Sequence, residues 1–194
     1  VSHFIIFDLE FTTWEGAFQR GWDGENEFRE IVQIGALKVE YDTLKVLGEL
    51  NLLIKPARNP QLSQFFQDLT HVTQERVDRE GMAFVEAFDR FAEFCDKALV
   101  FSYGNDMVVL GENIGLHGCP RNVFGKHDAM EFVNISPYFN RIDPVTIDVN
   151  SGRLWQHFNL PKPGEADEHD ALFDCYSILA AIRHLLANGQ QLPL

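Results

Sequence analysis

The stretch "FIIFDLEFT", residues 4–12, limits what this chain can fold into more than any other segment. A short apolar run rich in Ile and Phe belongs to a strand buried in a sheet, yet Asp8 and Glu10 interrupt it. Side chains alternate along a strand, so the two carboxylates share one face, roughly 7 Å apart. A carboxylate in such surroundings loses hydration and needs a partner. Two partners remain open: water, if both residues stand at an exposed strand end, or a divalent cation bound between them.

The remaining chain alternates in kind. Residues 31–41, "IVQIGALKVEY", read as a second strand. In "VLGELNLLI" the apolar Val46, Leu50, Leu52 and Ile54 fall on even positions, the period of a strand, which predicts a hairpin around Asp42 and Thr43. Phe84, Phe88, Phe91 and Cys95 then recur at steps of four, three and four, the stripe of a helix packed on a sheet. "ALVFSY", 98–103, reads as another strand, "GNDMVVLGENIGL" as a loop entering a helix, and residues 131–135 as a short buried run. "LTHVTQERVD" predicts a helix, a turn with Thr73 as N-cap, and a second short helix. The last element is a helix over 170–187, stopped by Asn188 and Gly189. Three strands followed by helices interleaved with two more strands predict an α/β fold with a five-stranded mixed sheet. No repeat or linker divides the chain, so 1–194 is expected to form a single domain.

Charge bears on what such a domain can hold. The 29 acids outnumber 16 Lys and Arg for a formal net charge of −13, the wrong sign for gripping a polyanion by electrostatics alone. Bound divalent cations would account for carboxylates in apolar surroundings. No apolar run reaches membrane length and no secretory leader is visible, so the expectation is a soluble, cytoplasmic protein; the start at Val1 leaves open a removed residue or segment. Cys95, Cys119 and Cys175 lack metal or dithiol spacing and read as reduced, buried thiols.

Other acids stand in comparable positions. Ala171, Cys175, Ile178, Ile182 and Leu185 mark the core stripe of the final helix, and Asp174 lies on or beside it. His169 ends the loop "PKPGEADEH" at the head of that helix. Asp106 follows a strand end and opens a helix, where on its own it reads more readily as a cap than as a ligand-facing residue.

Together, "DLEFT" at 8–12, Asp106 at a helix start and "HDALFD" at 169–174 resemble the three-motif signature of the DEDDh 3′-to-5′ exonucleases. "REIVQIGALKVE", "LTHVTQERVD", "FVNISPYFN" and "HDALFDCYSILAAIRHL" resemble, within that family, the compact exoribonucleases related to the histone-mRNA 3′ exonuclease. The resemblance implies a ribonuclease H-like fold and release of nucleoside 5′-monophosphates from single-stranded 3′ ends, with RNA or short oligonucleotides favoured. Two Mg²⁺ or Mn²⁺ ions held by Asp8, Glu10, Asp106 and Asp174 suit that reaction, with His169 as the base that takes a proton from the attacking water. Glu165, Asp167, Glu168 and Asp170 should raise the His169 pKa, and bound metal should lower it.

"FTTWEGAFQRGWDGENEFR" supplies Phe11, Thr12 and Trp14 as candidate substrate contacts. Together with Phe18, Trp22, Arg20 and Arg29 they could stack exposed bases or cap the core beneath a long loop; for Trp22 the structural role is favoured. His3, His71, His117, His127, His157 and His184 form no constellation. Competing classes are a DNA-directed exonuclease, another metal-dependent phosphohydrolase, and a non-catalytic binding domain on the same fold.

Overall fold

A computed structural model describes residues 2–119 and 131–191. His127 lies outside the described residues. Strands β1 (His3–Phe11), β2 (Ile31–Glu40), β3 (Val46–Leu53), β4 (Leu99–Ser102) and β5 (Glu131–Asn134) form one sheet in the order β3-β2-β1-β4-β5. The first three pair antiparallel, as the hairpin pattern predicts, and β4 and β5 join parallel to β1. The mixed α/β architecture read from the sequence is therefore present.

Burial of β1 on both faces explains its apolar run. Odd residues Ile5, Phe7 and Leu9 pack with Phe84, Phe88, Phe91 and Cys95 of α3 (Phe84–Cys95) and with Val109 and Leu110 of α4 (Asp106–Leu116). Even residues Phe4 and Ile6 pack with Cys175, Ile178 and Ile182 on the opposite face. Those three residues belong to the long C-terminal helix Ala171–Ala187, whose five-residue stripe is buried throughout. Asp8 and Glu10, also even, continue the second face toward the start of that helix.

Smaller elements complete the scaffold. Helices α1 (Gln64–Thr70) and α2 (Gln74–Glu80) flank a turn in which the Thr73 hydroxyl accepts the Arg76 N–H, the predicted cap. The Ser63 hydroxyl caps α1 and donates to the Thr13 carbonyl, tying α1 to the chain leaving β1. Edge strand β5 is half-buried rather than fully buried, and only Ile135 after it is enclosed. Helices α5 (Ser136–Ile142) and α6 (Leu154–His157), with two 3₁₀ turns between them, lead to the C-terminal helix, α7. Among the described residues no helix is long and apolar enough to cross a membrane.

Candidate active site

Close approach of α7 to β2 creates the site. Gly35 lies opposite Asp8 in the β1–β2 register. A Cβ at Gly35 would stand 2.3 Å from the Ala171 carbonyl carbon and the Leu172 nitrogen, so the first turn of α7 seats on the sheet only because that residue is glycine. Asp170 caps the helix by accepting the Phe173 N–H at 3.0 Å, and Asp174 follows one turn later, facing β1.

The result is a triad of carboxylates. One oxygen each from Asp8, Glu10 and Asp174 lies within 4.8 Å of the others, and all three side chains are buried. Asp174 Oδ2 accepts the Ser151 hydroxyl at 2.9 Å, whereas Oδ1 is buried without a hydrogen-bond partner. Gly152 leaves room beside it: a Cβ there would sit 2.4 Å from Oδ1. Burial, followed by the charges of Asp106, Asp174 and Glu10, pushes the Asp8 carboxyl well above its usual range. Glu10 is raised by burial and then by Asp174, Asp106 and Asp170. Burial also lifts Asp174 to about 7. Three carboxylates so close would repel one another without a shared counter-charge. Hard oxygen donors with an unmatched lone pair fit a divalent cation.

Asp106 is the first residue of α4, half-buried, and lines the same cleft as the triad without joining the set within 4.8 Å. Its side chain does not cap α4, and it stands just beyond the point where β4 ends and stops pairing with β1. Burial raises this carboxyl to about 7.

His169 stands on the loop entering α7 with φ +65° and lines the cleft. Its acidic neighbours do not act on it as the sequence implies: Glu168 pairs with Arg153, Asp167 with Lys162, and Asp170 caps the helix. Burial dominates and lowers the imidazole pKa, with Glu168 opposing and Arg153 assisting.

These groups open into a cleft of about 650 Å³. Phe11 and Trp14 line it, as do Phe18 and Trp22. Phe11 also packs against the core, and the Trp22 ring lies 5.6 Å from Phe11, tilted at 59°, while its indole N–H donates to the Thr12 carbonyl, so both rings serve structure and surface. Thr12 does not line the cleft. Its hydroxyl donates to the Phe28 carbonyl and accepts the Glu30 N–H, which commits its only donor within the fold. Arg20 and Arg29 are likewise engaged, by Glu27 and Glu112. Sequence reasoning missed Phe65 and Leu69 of α1, Tyr103, Asn150 and Ser151, which the fold brings to the cleft from distant segments. Asp170 before an apolar helix was a visible capping signal.

Residues 5–114, which carry Asp8, Glu10 and Asp106, match the family described as exonuclease (RNase_T). The chain belongs to the exonuclease family. Within it, the chain is 26% identical over 96 residues to ERI1 exoribonuclease 2 of Xenopus laevis, covering 50% of this chain and 13% of that protein. It is 32% identical over 93 residues to the 3′-5′ exonuclease Snipper of Drosophila melanogaster, covering 48% and 31%. The aligned part is thus under a third of each relative. Among solved exonucleases, a 3′-exonuclease recognising a histone mRNA stem-loop superposes with a TM-score of 0.78 at 20% identity, covering 97% of this chain and 83% of that one. The nuclease domain of 3′hExo, a DEDDh family member bound to rAMP, gives 0.77 at 22% identity, covering 97% and 93%. These likenesses establish the exonuclease fold for the whole described chain, including the segment beyond residue 114.

Proposed function

We propose that residues 1–194 act as one DEDDh-type exonuclease domain that hydrolyses single-stranded nucleic acid from the 3′ end, RNA in preference to DNA, releasing nucleoside 5′-monophosphates. The observation that carries this reading is the buried Asp8, Glu10 and Asp174 triad, with oxygens within 4.8 Å, beside His169 in a ring-lined cleft. Asp8, Glu10 and Asp174, with Asp106 alongside, would hold two Mg²⁺ or Mn²⁺ ions. Bound there, divalent cations supply Lewis-acid activation of water and charge stabilisation at the departing oxygen.

The chain's own residues do the rest. His169, neutral near pH 7 because burial lowers its pKa, takes the proton from the attacking water. Phe11 and Trp14 stack the terminal base, which is sequence-tolerant because every base offers a π-face. The relatives named as exoribonucleases and the rAMP-bound nuclease domain support RNA as the substrate. Free, buried Cys95, Cys119 and Cys175 suit a reducing compartment such as the cytoplasm.

Matched 5′-labelled RNA and DNA oligonucleotides, incubated with Mg²⁺ or Mn²⁺, test the proposal against Asp174→Ala and a chelator control. The expected result is a ladder shortening from the 3′ end, faster on RNA and absent in both controls. Equal or faster digestion of DNA would overturn the sugar preference, and no cleavage of either strand would favour a binding domain.

A further inference from the structure

The charge around the cleft is arranged against long polyanions. Among the described residues that line it, none is Lys or Arg, while Phe11, Trp14, Phe18, Trp22, Phe65 and Tyr103 supply six rings. Phe18 and Phe65 are 78% and 41% exposed. A second groove of about 790 Å³ adjoins the first through Phe18, Asn150 and His169, and its one arginine, Arg153, is paired with Glu168. The nearby cations are similarly matched: Arg20 with Glu27, Arg29 with Glu112 and Lys162 with Asp167. Over the whole sequence the net charge is −13.

Proteins that hold long single strands combine ring stacking with a cationic groove that follows the backbone. Here the rings are present, and the one arginine among the described lining residues is paired. A 650 Å³ cleft falls within the roughly 300–1,000 Å³ that encloses a drug-sized ligand, about one or two nucleotides. The adjoining groove adds a comparable volume, about 790 Å³. Among the described residues, neither groove offers an unpaired Lys or Arg along which the phosphates of a longer strand could run.

Resting on the hydrolytic reading above, we infer that the substrate class is short single-stranded oligonucleotides, a few nucleotides long, held by stacking in the two grooves rather than by phosphate charge. Extra length therefore adds no affinity, and added salt does not weaken binding as it does where many phosphates are neutralised.

The test measures kcat/KM for RNA of 2, 5, 10 and 40 nucleotides at fixed Mg²⁺, with monovalent salt from 50 to 200 mM. The p-nitrophenyl ester of a nucleoside 5′-monophosphate serves as a probe of the catalytic centre alone. The expected result is a value for the 5-mer at or above that for the 40-mer. Salt should change the 5-mer rate by less than about threefold, the effect of a single phosphate contact. A 40-mer preferred tenfold or more, or a tenfold loss across the salt range, with the ester still cleaved, would overturn this inference while leaving the hydrolytic reading intact. Failure to cleave the ester and every oligonucleotide would remove both.

Discussion

The fully buried Gln33 carboxamide donates to Asp170 Oδ2 at 3.0 Å while its oxygen accepts the Ala171 N–H at 3.3 Å. Gln33 lies opposite Glu10 in the sheet register, so one side chain ties the carboxylate-bearing strands to the start of α7. Its amide nitrogen also donates to Asn51 at 3.0 Å, which holds the carboxamide in one orientation. Gln33→Leu should release the segment carrying His169 and Asp174 and leave the half-buried Asp170 oxygen without its donor, at a cost of about 1–3 kcal/mol. The predicted signature is a fall in kcat of at least tenfold with KM within threefold, and a lowered melting temperature. Unchanged kcat in a destabilised variant would limit Gln33 to holding the fold.

Stability of the metal-stripped protein should fall as pH rises. Burial lifts Asp106 and Asp174 to about 7 in the folded chain and raises Asp8 and Glu10 as well, whereas unfolded carboxyls ionise near about 4. Below that value both states carry the protons, and the stability these groups contribute is fully present; it is lost as pH climbs through about 7, where the folded state must ionise them. Melting in chelator is therefore expected at a higher temperature at pH 5.5 than at pH 8. Mg²⁺ or Mn²⁺ should restore stability at pH 8, and Asp8→Ala should remove most of that rise. A chelated protein that melts no lower than the metal-supplied one would contradict this.

Gly152→Ala places a methyl group 2.4 Å from Asp174 Oδ1 and 2.8 Å from the Glu168 Cβ. Overpacking of this kind costs about 1–3 kcal/mol, and here the strain falls on a proposed ligand. Activity should drop at least a hundredfold and the metal-induced rise in melting temperature should shrink. Calorimetric titration with Mn²⁺ would check it directly, and wild-type affinity would show that the loop moves to make room.

Thr12→Val separates structure from recognition. The hydroxyl holds the chain segment between Phe28 and Glu30 and does not reach the cleft. Loss of about 1–2 kcal/mol of stability is expected, with KM for oligonucleotides within twofold. Trp14→Ala, by contrast, should raise KM about tenfold. A large KM effect from Thr12→Val alone would return that residue to the substrate site.

Much of the fold was legible because strand and helix periods are local properties. The even-position pattern of β3, the Phe84–Cys95 stripe and the Thr73 cap each depend on neighbours within a few residues. The short buried run expected at 131–135 emerged as a half-buried edge strand, because being at an edge is a fact about the sheet and not the segment. Thr12 was nominated for its place in a motif, but a long-range bond to Phe28 and Glu30 engages its hydroxyl.

The sequence by itself determined that Asp8 and Glu10 share a face and that Asp174 lies beside a buried stripe, since backbone alternation and helical period dictate both. Tertiary structure decided that the two faces are the same one. That outcome rests on Gly35 admitting the start of α7 onto β2, on Ser151 and Gly152 shaping the space around Asp174, and on Arg153 and Lys162 pairing with the acids beside His169. Each joins segments distant in sequence. Such contacts depend on how whole elements pack, so no local pattern announces them.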